Sequence, residues 1–379
     1  MIARRIDRIE RNREVSNLQS LSEIHCRTLR KALLCCAVAL IWAAYGGTSE
    51  AEEAPDYRAF TQSYHIPFTR KVDFDHLTSL HVRASLNGGP PTSFQVDTGS
   101  VGIVVSAEEV PDIDPKAPKG SIKYSSSGVE LNGVWTMVKV TFPDSRDAKG
   151  NVATAMVPVL AVKEKKVSGT GVNSAGQKAS SNPHPHMFGI GFGRGTEAHP
   201  ERNPFVNLAE MQSGTMRRGY TITREGFTLG LTAETVEQGY LFQKLTERKV
   251  SPEILALKPG LKDWQTAPGS LTVDNHSAAI GTVLMDTGLT NMMLAAPENA
   301  SSGDLNPGAM VTIHLLGDRL RYRFKVGDTK DPVTPRKVTW IKPTHGVFVN
   351  TGLRAFAAFD YLYDADGGYL GLRPVGSRP

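Results

Sequence analysis

One short pattern occurs twice in this chain and constrains its fold more than any other feature. Phe94-Gln95-Val96 leads into Asp97-Thr98-Gly99-Ser100, and Val101 with Ile103-Val104-Val105 follows. Val283-Leu284-Met285 leads into Asp286-Thr287-Gly288-Leu289, and Met292-Met293-Leu294 follows. Each copy is an apolar strand, a sharp turn and a second apolar strand. One copy in each half of the chain points to two related lobes. Asp, Thr and Gly also suit ordinary β-turns, so two plain turns are the alternative reading of the same residues.

The rest of the chain reads as short strands. Its 379 residues include 36 Gly and 23 Pro, so many turns and few long helices are expected. Leu80 to Leu86 alternates, Asn87-Gly88-Gly89-Pro90-Pro91 turns, and Phe94 to Val96 resumes, a hairpin pattern. Ser121 to Phe142 gives a second hairpin. Ile122 and Tyr124 stand on one arm, Ser125 to Gly128 forms the tip, and Val134 to Phe142 forms the return. Lys163 to His186 is rich in Ser, Gly and Lys and is expected to be a loop. One short helix is expected after it. Asn203 suits an N-cap and Pro204 the first helical position, with Leu208 and Met211 on the same apolar face.

Two carboxylic acids held close together have a definite chemical use. Hydrolysis of a peptide bond without a metal or a covalent intermediate needs one group to take a proton from water. It needs a second to polarise the carbonyl. Asp97 and Asp286, sharing one proton, can do both. At close range they cannot both ionise easily, so one pKa rises and the other falls. A sharp turn has to present each carboxylate, and Gly99 and Gly288 permit that path and the close approach of the other lobe.

With these residues the chain resembles the pepsin family of aspartic peptidases. Leu80 to Val96 is similar to the strand, turn and strand before the first catalytic Asp. Ile122-Lys123-Tyr124 resembles the flap that closes over substrate. Gly189-Ile190-Gly191-Phe192-Gly193 resembles the hydrophobic-Gly segment of the first lobe, and Pro204 to Leu208 the helix after it. Trp264 to Val273 is similar to the strand pair before the second Asp. Leu362-Tyr363-Asp364 through Gly371-Leu372-Arg373-Pro374 resembles the C-terminal strand pair. The likeness spans about residues 78–379, with divergent stretches between. It implies an all-β, bilobal acid-protease fold, two β-barrel-like lobes with a cleft between them. It implies an N-terminal lobe over 52–230 and a C-terminal lobe over 231–379. Asp97 and Asp286 would be catalytic, Thr98 and Thr287 would bond across the lobes, Ser100 would bond Asp97, and Tyr124 would cover a peptide or protein substrate.

Two positions depart from the family pattern. Val104 stands where a Trp usually anchors the flap Tyr, and Trp135 is the residue that could compensate. Leu289 stands where Thr or Ser usually follows the second Gly. A leucine donates no hydrogen bond, and a carboxylate that loses a donor has a raised pKa. Leu289 therefore predicts a less acidic activity optimum than the family's usual one. These departures also give weight to a second function, a catalytically silent binding or inhibitor protein on the same fold.

The N-terminus has the layout of an export signal. Arg27, Arg30 and Lys31 precede the apolar run Ala32 to Tyr45, and Ser49-Glu50-Ala51 suits cleavage. The run is short for a membrane span, which needs about 20 apolar residues. Residues 1–51 are therefore expected to be a leader for a periplasmic or extracellular protein, with an uncleaved anchor as the alternative. The chain has 43 Lys+Arg against 38 Asp+Glu, and the leader holds 8 and 5 of these, so the net charge falls from +5 to +2 without it. No basic field remains to argue for nucleic acid. Cys26, Cys35 and Cys36 all lie in the leader, which leaves no thiol chemistry beyond it.

No cofactor is expected. Gly189, Gly191, Gly193 and Gly195 lack the dinucleotide-binding spacing. Asp364 to Gly368 has Tyr369 where a calcium loop needs Gly, and reads as a hairpin turn. His184 and His186 have no third ligand at metal spacing. A monomer is expected, because one chain carries both Asp-Thr-Gly turns.

Overall fold

A computed structural model describes residues 55–124, 126–167, 185–276, 279–296, 302–342 and 346–376. The expected leader, most of the expected Ser/Gly-rich loop, Ser125 of the hairpin tip and His184 lie outside the described residues. The architecture is all-β, with only short helical turns between strands. Among the described helices none is long and apolar enough to cross a membrane.

Three large sheets carry the fold. The first has seven strands in the order His81–Leu86, Thr92–Asp97, Met187–Ile190, Val101–Ser106, Thr154–Val167, Val129–Thr141 and Lys119–Tyr124. The strand His81–Leu86 also pairs with Val129–Thr141 through Ser85 to Thr141 and Leu86 to Val140, which closes the sheet towards a barrel. The second sheet has eight strands. At its centre Ala279–Leu284 lies beside Val347–Asn350, which lies beside Met292–Ala295. The third has six strands and takes chain from both halves, including the C-terminal hairpin Phe359–Asp364 and Tyr369–Pro374.

The sequence repeat is also a topological repeat. Thr92–Asp97 runs parallel to Met187–Ile190, which runs antiparallel to Val101–Ser106. Ala279–Leu284 runs parallel to Val347–Asn350, which runs antiparallel to Met292–Ala295. In each sheet, the strands entering and leaving the Asp-Thr-Gly turn are separated by a strand from far downstream. The turn therefore cannot close as a simple hairpin. It projects from the end of a three-strand unit with apolar residues on both sides.

An aromatic cluster joins the first sheet to the six-stranded one. Phe94, Phe188, Phe205 and Phe227 are fully buried. Their rings meet in sequence at centroid distances of 5.6, 5.6 and 5.4 Å. Each buried ring of this kind contributes roughly 1.5–3 kcal/mol from area alone, and the tilted and edge-to-face contacts add to it.

Two local expectations need correction. The helix expected from Asn203 is broken. Asn203 caps a 3₁₀ turn, Pro204–Val206, by accepting from the Phe205 N–H at 2.9 Å. The chain then extends at Leu208, which forms a β-bridge with Ala155, and only afterwards makes the helical turn Ala209–Gln212. The bridge uses the Leu208 backbone, so one continuous helix cannot run through it. Phe205, Leu208 and Met211 are nevertheless all buried. The expected loop also starts too early. Lys163 to Val167 continues the strand Thr154–Val167 and pairs with the hairpin's return arm, Val129 facing Val167. These residues are exposed and mostly charged, so no apolar alternation marks them as strand.

A buried carboxylate ties Tyr57 and Arg217 to the C-terminal hairpin. Asp364 is fully buried, accepts from the Tyr57 hydroxyl at 3.1 Å, and takes a bidentate pair from Arg217 at 3.1 and 2.9 Å. The Gly367 N–H supplies a further bond at 2.8 Å. Asp364→Ala would strand a mostly buried guanidinium and is expected to cost about 3 kcal/mol or more. Tyr57→Phe removes one bond and should cost only about 1 kcal/mol. Urea unfolding of both variants beside wild type checks the contrast, and equal losses would contradict it.

Candidate active site

The two Asp-Thr-Gly turns face each other at the junction of the seven- and eight-stranded sheets. Thr98 and Thr287 are buried and bond reciprocally. The Thr98 N–H donates to the Thr287 hydroxyl at 3.0 Å, and the Thr287 N–H donates to the Thr98 hydroxyl at 2.9 Å. Each hydroxyl then donates onward across the interface, Thr98 to the Met285 carbonyl at 2.6 Å and Thr287 to the Val96 carbonyl at 2.8 Å. A threonine hydroxyl offers one donor and two lone pairs, so the four bonds use the donor and one acceptor site of each of the two hydroxyls.

The glycines are explained by what faces them. A Cβ on Gly99 would sit 2.5 Å from the Asp286 Oδ2, and one on Gly288 would strike the Asp97 carboxyl. Each carboxyl therefore occupies the space that the opposite glycine leaves open. Neither glycine has a left-handed backbone, so close approach is the reason for glycine here. Gly191 presses the same way on the back of the first turn, where its N–H donates to the Ser100 carbonyl at 2.8 Å.

Asp97 and Asp286 are both buried. Asp97 Oδ1 accepts from the Gly99 N–H at 2.7 Å, and its Oδ2 accepts from the Ser100 hydroxyl at 2.5 Å. Burial pushes the Asp97 pKa up to about 7, and the negative charge of Asp286 adds to the rise. The bonds from Ser100 and Gly99 oppose it without cancelling it. Asp286 Oδ1 accepts from the Gly288 N–H at 2.8 Å.

Asp286 has a fourth-quarter partner that the sequence did not reveal. Leu289 indeed offers no donor, but the Asn350 amide does, with Nδ2 donating to Asp286 Oδ2 at 2.6 Å. The premise that Asp286 lacks a side-chain donor is therefore corrected. Asn350 ends the strand Val347–Asn350, whose parallel pairing sets it opposite Leu284, two residues before Asp286. Its only signal in the sequence is an amide closing an apolar strand just before Thr351-Gly352.

Tyr124 closes its strand close to this pair. Its hydroxyl is buried without a hydrogen bond of good geometry. Burial raises its pKa, with the charge of Asp97 adding to the rise and Ser100 opposing it. Trp135 does not bond that hydroxyl. It packs with Tyr124, Val104, Leu131 and Leu160 in a small apolar cluster, and the Arg202 guanidinium lies 4.0 Å from its ring centroid. The Tyr124 side chain is thus held by apolar contact and not by a bond from Trp135.

Behind the turns lies a small cavity lined by Thr98, Leu284, Met285, Tyr361 and Arg194. Arg194 donates from Nε to the Phe192 carbonyl at 3.0 Å and also meets the Thr266 hydroxyl. Burial lowers its pKa, and Asp286 is the first of the negative groups that oppose this. Among the described residues no cluster of His, Cys, Asp and Glu has the arrangement of a metal site. His186 instead pairs with Glu109 at 2.7 Å.

No protein-family model matches the chain, and no curated protein matches its sequence. Among solved structures it is similar to the aspartic proteinase from Irpex lacteus, at 14% identity and a TM-score of 0.49. That likeness covers 83% of this chain and 98% of the other.

The raised pKa of Asp97 has a consequence for stability. A carboxyl whose folded pKa lies above its unfolded value contributes most below the unfolded value and loses that contribution as pH rises through the folded one. The native state should therefore weaken between about pH 4 and about 7 on account of this group. Asp97→Asn, neutral at every pH, should match wild type near pH 3.8 and melt at higher temperature by pH 8. Melting curves across that range test it. A variant no more stable than wild type at pH 8 would contradict the assignment.

Proposed function

We propose that this protein is an aspartic endopeptidase in which a water between Asp97 and Asp286 attacks the scissile carbonyl. One observation carries the reading. Two buried carboxyl groups on opposed turns each fill the space left by the other turn's glycine, and burial and mutual charge hold a proton on the pair. One carboxylate is then available to take a proton from water, and one carboxylic acid to give a proton to the carbonyl oxygen. Thr98 and Thr287 hold the two groups in register, which is where much of the rate advantage of a fixed pair would come from. In this reading Tyr124, at the end of its hairpin arm beside Asp97, covers an extended peptide.

The two lobes of this reading are 52–230 and 231–379, with the substrate between them. The N-terminal leader suits export, so the substrate would be a peptide or protein met outside the cytoplasm.

The test is incubation of the purified chain with a mixed peptide library from about pH 3 to about pH 7, beside Asp97→Asn and Asp286→Asn. Wild type should cleave, and each variant should lose at least about 10²–10⁴-fold, the usual scale for removing an acid or base. Activity should persist into weakly acidic solution and fall as the pair loses its proton at about pH 7. A folded wild type that cleaves nothing across this range would replace the peptidase with a silent binding protein. An optimum near pH 2 would instead contradict the raised Asp97 pKa.

A further inference from the structure

The cavity behind the Asp-Thr-Gly turns contains a cation that the peptidase chemistry does not use. Arg194 lines it, together with Thr98, Leu284, Met285 and Tyr361. A guanidinium carries five N–H donors and stays charged at any working pH. Arg194 commits two of them, Nε to the Phe192 carbonyl at 3.0 Å and Nη2 to the Thr266 hydroxyl. Both acceptors are neutral. Nη1 has no acceptor among the described residues, and no carboxylate among them forms an ion pair with the group. Other part-buried arginines are answered by contact, Arg217 by Asp364 at 2.9 Å, Arg248 by Asp263 at 3.0 Å and Arg373 by Asp360 at 2.5 Å.

The negative groups nearest Arg194 are engaged elsewhere. Asp263 accepts from the Gly193 N–H at 3.1 Å and pairs with Arg248. Asp286 takes the Gly288 N–H and the Asn350 amide. Their charges act on Arg194 through space, yet burial still lowers its pKa. A cation taken from water with only neutral acceptors in contact is costly, and a counter-ion in contact offsets that cost.

The room and the walls select the counter-ion. The centre of a water-sized group has about 20 Å³ to occupy there, space for one atom-sized ion and too little for one the size of sulfate. Phe192, Ala267, Val283 and Leu370 complete walls that are mostly apolar. An ion that enters must give up its water, so an anion that holds water weakly is favoured. The guanidinium is itself weakly hydrated and suits such a partner.

We propose that this cavity is a binding site for one small, weakly hydrated monovalent anion of the chloride class, held in contact with the Arg194 guanidinium. Thr98 and Met285 line the same cavity and are joined by a bond of the threonine network. The ion therefore braces the junction of the two turns from behind, and its binding adds to the stability of the folded chain. The site does not depend on the peptidase reading, since neither substrate nor cleavage enters it.

The test is a set of melting curves of the full chain at one pH and one ionic strength, with sodium chloride, bromide or gluconate as the salt, so that general screening is the same throughout. A site half filled at on the order of 10 mM chloride would raise the melting temperature by about 2–4 °C at about 0.2 M over gluconate. Bromide should do the same. Arg194→Met should lose the response, and Arg323→Met, which removes an exposed arginine on the edge strand Leu320–Lys325, should keep it. Crystals of the wild type grown in bromide should show its anomalous signal in contact with the Arg194 guanidinium, a readout that stands even if Arg194→Met does not fold. Crystals without that signal would overturn the proposal. So would a chloride response equal in wild type and a folded Arg194→Met. A bromide signal at Arg194 with no difference between chloride and gluconate would mean an adventitious ion only, and would overturn it too.

Discussion

The site depends on two backbone N–H groups, those of Thr98 and Thr287. Both are buried at the meeting of the two sheets, and each is satisfied only by the other turn's hydroxyl. A made hydrogen bond adds only about 1 kcal/mol net, but a buried donor left without a partner costs roughly 1–3 kcal/mol. Separating the turns would orphan two such donors at once, and the Met285 and Val96 carbonyls would lose their partners too. The carboxyls ride on the residues immediately before these threonines. Their separation is therefore set by a rigid backbone network and not by their own repulsion, which would drive them apart.

That constraint explains why the neighbouring residues are small. With the turns locked together, Asp286 lies against Gly99 and Asp97 against Gly288, and any side chain there would have to displace a carboxyl. A third glycine, Gly189, answers the same demand one layer out, where a Cβ would lie 2.8 Å from the Ser100 hydroxyl oxygen. The pressure of packing then becomes electrostatic. Burial weakens the solvent screening of the two acids from each other, and the result is the raised proton affinity of Asp97.

Much of this was legible in the sequence because it is local. A strand, Asp-Thr-Gly and a second strand lie within about a dozen residues of one another, and apolar alternation marks them. Asn350 was not legible, because it lies 64 residues from Asp286 and reaches it only through a parallel strand pairing. No periodicity reports which distant strand will insert between two neighbours. The broken helix after Asn203 failed for a related reason: its cap and apolar spacing were right, but a bridge from Leu208 to Ala155 takes the backbone out of the helix. In both cases a non-local hydrogen bond overrode a sound local pattern.

The backbone frame repeats across the interface, and the side chains around it do not. Ser100 faces one acid where Leu289 stands in the other turn, and Asn350 supplies from a neighbouring strand the bond that Leu289 cannot. Tyr124 approaches from the seven-stranded sheet, where Val104, Leu131 and Leu160 support it by contact. This division of labour has a physical logic. Symmetry in the frame is the simplest way to bring two like charges to one point, since each turn satisfies the other. Symmetry in the side chains would leave the two acids with equal claims on one proton. Breaking it at side chains outside the two threonines leaves undisturbed the network that holds the acids together.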